Sequence, residues 1–157
     1  MKKIYFLFVG IFLIFLFTQC SKDFLKSYEH RIEGSWKLTD VDRRGIGGST
    51  DNLPFKEGIF TFSENGELAY TNNTGETYKG SWDIRRETIR GNCNTNENGN
   101  RQCDDRTVKS LHITSVDFQT QDVRSEYFNE IIFTSTNHFK ALIFDGWHTY
   151  VFRFVRQ

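Results

Sequence analysis

From Gly34 onward, large apolar side chains recur at every second position. In Gly34-Ser35-Trp36-Lys37-Leu38, Trp36 and Leu38 share one face while Ser35, Lys37 and Thr39 share the other, the alternation of a half-buried strand. The pattern returns in Gly80-Ser81-Trp82-Asp83-Ile84. In both stretches the glycine allows close backbone approach and the indole is expected to fill one end of a closed interior. Phe60 and Phe62 precede Glu64-Asn65-Gly66, and Leu68 and Tyr70 follow it. A two-residue Asn-Gly turn would put the phenylalanines and Leu68/Tyr70 on opposite faces. A three-residue loop with Gly66 left-handed pairs Phe62 with Leu68 and Phe60 with Tyr70, so the spacing predicts that form.

Asn72-Asn73-Thr74-Gly75 marks the next turn and leads to Tyr78, Gly80, Trp82 and Ile84 on one face. Residues 107–116 read as a strand with Leu111 and Ile113 inward, residues 127–134 as another, and Ser135-Thr136-Asn137 as the turn into residues 138–144. Asp145-Gly146 is a two-residue hairpin signal. Closed there, the hairpin opposes Phe144 to Trp147, Ala141 to Tyr150 and Phe139 to Phe152, and Phe139, Ala141, Ile143, Tyr150, Phe152 and Phe154 line one face.

Two segments interrupt the alternation. Residues 43–54 (RRGIGGSTDNLP) form a Gly/Ser/Asn-rich loop; no Gly-Lys-Ser/Thr follows its glycines, so a flexible cover over a barrel mouth is expected in place of a phosphate loop. Residues 90–106 (RGNCNTNENGNRQCDDR) are almost devoid of apolar side chains and hold Cys93 and Cys103, for which a disulfide is the default in an exported protein. Asn94, Asn96, Asn98, Gly99, Asn100, Gln102 and Asp105 match the spacing of a twelve-residue calcium loop. Asn replaces the first Asp, Asp replaces the last Glu, and no flanking helices are indicated, so a solvated hairpin tip is the preferred reading and no metal is assigned.

The amino end has a different pattern. Lys2 and Lys3 precede an unbroken apolar run over residues 4–17, then Thr18-Gln19-Cys20 and an abrupt change to polar sequence. This is the shape of a signal peptide and is short for a membrane span. Leu16-Phe17-Thr18-Gln19-Cys20 resembles the lipobox of bacterial lipoprotein precursors, although Phe17 and Gln19 stand where Leu and a small residue are usual. The resemblance implies cleavage after Gln19 and acylation of Cys20, giving a membrane partner through the lipid anchor and an outer-membrane location in the cell envelope. An ordinary secretory signal, or an uncleaved anchor ending in Cys, is the alternative. Residues 20–32 are then a lipidated tether or short helix, whose Phe24, Leu25, Tyr28 and Ile32 recur at spacings of three and four and are expected to plug the end of the following domain.

Short strands, hairpin turns and a single proline describe an all-β antiparallel barrel or sandwich. At Gly34-Ser35-Trp36, the Phe60-Thr61-Phe62…Asn65-Gly66 hairpin, Gly80-Ser81-Trp82 and the last strand ending in Arg156, the chain resembles the lipocalin-like domains of bacterial lipoproteins. That resemblance spans most of residues 33–157. It implies an up-and-down barrel of about eight strands with Trp36 closing one end under Arg153 or Arg156, and it assigns no ligand.

Composition narrows the function classes. Twenty basic and twenty acidic residues cancel and are interspersed, so no basic face for nucleic acid is present. His30, His112, His138 and His148 lie on separate elements, no Gly-x-Ser-x-Gly elbow occurs, and carboxylates are scattered, so no catalytic residue and no cofactor are assigned. His148 falls on the apolar face and is expected to be a satisfied, buried histidine. The leading expectation is a binding module for a small apolar ligand lined by Trp36, Phe60, Phe62, Tyr70, Trp82, Phe139, Tyr150 and Phe152. An interaction or inhibitor-like envelope lipoprotein with a solid barrel is the alternative, and a barrel hydrolase or isomerase ranks third.

Overall fold

The computed structural model describes residues 27–157 apart from 92, 96 and 100, so the apolar run at 4–17, Cys20, Phe24 and Leu25 lie outside the described residues. Ser27 caps a short helix α1 (Tyr28–Ile32) by accepting a hydrogen bond from the His30 amide. Eleven strands follow: β1 (Gly34–Gly45), β2 (Gly58–Phe62), β3 (Glu67–Thr71), β4 (Thr77–Ile89), β5 (Cys93–Thr95), β6 (Arg101–Cys103), β7 (Arg106–Val116), β8 (Val123–Phe128), β9 (Glu130–Ser135), β10 (His138–Asp145) and β11 (His148–Arg156). Nine form one antiparallel sheet in the order β8, β7, β4, β3, β2, β1, β11, β10, β9, while β5 and β6 make a separate ribbon. Cys93 and Cys103 are opposed across that ribbon and joined by a disulfide.

Alternation dictates what the sheet buries. Phe60, Phe62, Leu68, Tyr70, Tyr78, Trp82, Leu111, Ile113, Phe139, Phe152 and Phe154 point to one interior, and their neighbours along each strand face water or the flanks. The first hairpin has the expected register, with Phe60 opposite Tyr70, Phe62 opposite Leu68, and Gly66 left-handed at φ 81°. Gly80 lies so close to β7 that a Cβ there would sit 1.8 Å from the Thr114 carbonyl oxygen.

One end of the interior is shut by α1. Ile32 is fully buried, and its carbonyl accepts a hydrogen bond from Trp36 Nε1 at 2.6 Å. The Arg156 guanidinium lies 4.2 Å over the Trp36 ring and donates to the carbonyls of Glu33 (2.8 Å) and Arg31 (2.7 Å). Those carbonyls are left without partners where the helix stops, so a single side chain satisfies the helix end and covers the indole. Of the two candidate arginines, Arg156 therefore takes this place, whereas Arg153 pairs with Asp40 and Asp42 on β1. Gly34, at φ 103°, leaves room for it: a Cβ there would meet Arg156 Nη1 at 2.9 Å.

Three expectations are corrected. The last hairpin turns at Gly146-Trp147, one residue later than the Asp-Gly signal suggested, so Phe144 faces Thr149, Ala141 faces Phe152 and Phe139 faces Phe154. Gly146 takes a positive φ of 56° as first residue of the turn, the position a tight hairpin needs it in. Each residue's partner changes by two, which preserves parity, so the expected inward face is the observed one. The loop expected from residue 43 begins at 46, because β1 pairs with β11 as far as Gly45 opposite His148, past a register shift between Leu38 and Asp40. The strand expected over 127–134 is divided at Asn129 between β8, which pairs with β7, and β9, which pairs with β10. At that division the free strand edges are capped by side chains: Asn129 Oδ1 accepts from the Phe144 amide (2.7 Å) and Glu126 Oε1 from the Tyr127 amide (3.0 Å).

Replacing Gly80 with Ala drives a methyl into backbone that neither strand can move without breaking the β4/β7 ladder. A loss of at least about 3 kcal/mol in urea denaturation is expected; an unchanged midpoint would show that the two backbones are not held in contact.

Candidate functional site

All eight aromatics expected to line a ligand cavity belong to the core cluster, where their rings pack against one another and their neighbours. Trp36 meets Phe139 edge-on at 4.8 Å, Phe60 lies 4.6 Å from Tyr70, Phe62 meets Trp82 at 5.6 Å and Phe152 meets Phe128 at 5.0 Å between ring centroids. The three edge-on pairs, all but the tilted Phe60–Tyr70, add to area burial. Trp82 Nε1 donates to the Ser63 carbonyl and Tyr150 Oη to the Ser49 carbonyl, so the polar atoms of these rings are satisfied as well.

The end remote from α1 carries the loop that links β1 to β2, and that loop supplies a residue the sequence reading did not single out. Phe55 is fully buried and packs edge-on against Phe60 (5.3 Å) and Tyr70 (4.9 Å). The Leu53-Pro54-Phe55 cluster near the end of a mostly polar loop was the available signal. Arg124 holds the loop down: Nη1 donates to the Pro54 carbonyl, Nε to Asp122 at 3.0 Å, and the guanidinium lies 4.6 Å over Tyr78. Tyr78 Oη donates to the same Asp122, and Tyr70 Oη to the Glu57 carbonyl. The bond from Arg124, followed by that from Tyr78, holds the Asp122 carboxyl below its ordinary range, while burial pushes both tyrosines up. Above this plug lies a cleft of about 450 Å³ that Tyr70 alone of the eight aromatics reaches, together with Leu53, Glu57 and Arg124.

Around the same rim stand the three most exposed large apolar side chains among the described residues. Ile46 is 83% exposed and Trp147 88% exposed, on backbones joined by a hydrogen bond from the Ile46 amide to the Trp147 carbonyl. Phe118, at the tip between β7 and β8, is 76% exposed. The plug and these tips come from the same end, and the loop between β1 and β2 supplies both the buried Phe55 and the exposed Ile46.

The histidines do not converge. His30 contacts Glu33, His138 contacts Ser135, His112 meets Tyr127 edge-on at 5.1 Å, and His148 is half-buried between Tyr150 Oη (3.1 Å) and Asp145 (3.2 Å). Ser110 is buried, with its hydroxyl committed to Glu87 and the Arg85 carbonyl. Among the described residues no group of three or more His, Cys, Asp or Glu could hold a metal ion; Asn96 and Asn100 of the calcium-like spacing lie outside them.

Two outcomes test this geometry. Phe55→Ala removes the plug and leaves a cavity, costing about 3 to 5 kcal/mol in denaturant unfolding and opening the interior to an apolar dye; near-zero cost would place Phe55 outside the core. Burial raises the Glu126 carboxyl above its usual pKa. The folded state therefore holds that proton more tightly than the unfolded one, and stability falls as pH rises from the unfolded pKa through the folded one. Glu126→Gln is expected to raise the denaturation midpoint at pH 7 and to have no effect at pH 3; an equal gain at both would assign it to packing.

Comparison with known proteins found no match: no family model, no curated protein and no solved structure.

Proposed function

We propose that the chain is an exported lipoprotein, anchored at Cys20 in the outer membrane, whose residues 33–157 form a closed lipocalin-like barrel that binds another envelope protein. Closure is supported by the two sheet-edge strands: β8 and β9 are consecutive in the chain with Asn129 between them, and Arg106 of β7 makes a bidentate pair with Glu130 of β9 at 3.0 and 2.7 Å. Export agrees with the disulfide. Cys20 and Ser27 are seven residues apart in sequence and so at most about 25 Å from each other, which would keep α1 near the bilayer and turn the opposite rim away from it.

The observation that carries the reading is the pair Ile46 and Trp147, almost fully exposed on bonded neighbours at that rim while Phe55 of the same loop occupies the interior. Exposed apolar clusters of this kind mark association sites, and Trp is enriched among residues that dominate binding energy. The filled core favours this protein-binding reading over the small apolar ligand, which would require Phe55 to leave. No catalytic role or cofactor is part of the proposal.

Photo-crosslinking from position 147 in intact cells is the test. A single discrete adduct is expected, lost on Ile46→Ser while the thermal midpoint of the purified protein stays unchanged. Native mass spectrometry that finds one apolar molecule bound per chain, with no crosslinked protein, would overturn this reading in favour of ligand carriage.

A further inference from the structure

Beyond the aromatic interior, β4 and β7 continue as a long ladder, and there the register sets Arg86 directly opposite Lys109. Directly opposed residues on antiparallel strands share a face, with Cβ atoms about 5 Å apart, and two like charges so placed repel. Neighbouring carboxylates relieve only part of this. Glu29 of α1 reaches Lys109 at 3.1 Å, and Glu130 is engaged by both terminal nitrogens of Arg106. Arg86 is exposed and, among the described residues, has no hydrogen-bond or ion-pair partner; the adjacent Arg85, on the other face, is paired with Asp83.

Arg86 and Lys109 open onto one cleft of about 570 Å³ between the β4/β7 ladder, β9 and α1, lined also by Thr107, Tyr28 and the Glu130 that Arg106 neutralises. Thr107 lies two residues along β7 from Lys109 and so on the same face, opposite Thr88. A guanidinium fork, an ammonium and hydroxyl-bearing residues thus border a single concave space that has one cation more than it has carboxylates to balance it. We infer that this cleft is a binding site for a phosphate group, held by Arg86 and Lys109 with Thr107 at its edge. A guanidinium presents paired donors and an ammonium presents donors in several directions, so together they suit a tetrahedral oxyanion better than a planar carboxylate. The cleft adjoins α1, the first described element after the anchor segment proposed above, and the lipid source considered below rests on that reading. Two sources share this chemistry: the phosphodiester headgroup of a neighbouring lipid, and free inorganic phosphate.

The test uses the purified full-length protein in detergent, with thermal midpoints recorded against inorganic phosphate and, separately, short-chain phosphatidylglycerol, at ionic strength held constant with chloride. Binding to the folded state alone raises the midpoint, by roughly 4 °C at tenfold excess over Kd. A rise with both probes, or with inorganic phosphate alone, identifies a site for the free anion; a rise with the lipid alone identifies a headgroup site. Arg86→Gln should raise the midpoint in chloride, because the repulsion is removed, and abolish the increment from the effective probe. Arg85→Gln should keep that increment. No rise with either probe, or an equal rise in Arg86→Gln, would overturn the proposal. The crosslinking experiment at position 147 is independent of either result.

Discussion

A sheet with an aromatic inner face and no second layer to cover it has to pack upon itself, and that requirement governs this molecule. Each large side chain taken from water contributes about 1.5 to 3 kcal/mol, but only if the sheet curls until its own rings meet. Phe139 stacks on Phe154 at 4.3 Å, and Phe128 of edge strand β8 reaches Phe152 of β11. The curl leaves two ends at which rings would otherwise face solvent.

Those ends are sealed by different chemistry. At one, a helix of a single turn is too short to be stable by itself, and it is held by Ile32 in the core and by Arg156, which binds the helix carbonyls and stacks on Trp36. At the other, Phe55 is inserted from a loop, and Arg124 fastens that loop through the Pro54 carbonyl. In both cases an arginine that packs on an aromatic ring also bonds backbone carbonyls of the closing segment. With the interior packed by rings, the features that face outward are the apolar rim of Ile46 and Trp147, and the basic cleft beside α1. They lie at opposite ends of β1, which lets the two proposed contacts, with a protein and with a phosphate group, be made at the same time.

The candidate sites were legible to different degrees. Trp36, Phe60, Tyr70 and Trp82 announce an inner face through their spacing alone, because strand side chains alternate whatever the sheet later does. That alternation cannot say what packs against the face at its open end, since Phe55 comes from a loop without periodicity. Exposure of Ile46 and Trp147 was equally hidden, because an apolar residue at a turn carries no sign of which way it points.

By itself, the amino-acid sequence determined the strand character from Trp36 to Phe154, the parity of each inward face, the three-residue first hairpin with its left-handed Gly66 and the pairing of Cys93 with Cys103. These are local consequences of side-chain alternation and turn stereochemistry. Tertiary structure alone decided that Arg156 rather than Arg153 covers Trp36, that the chain divides at Asn129 to serve both sheet edges, and that Arg86 faces Lys109. Each of these depends on which distant segments the curled sheet brings side by side, and strand periodicity is silent about partners far along the chain.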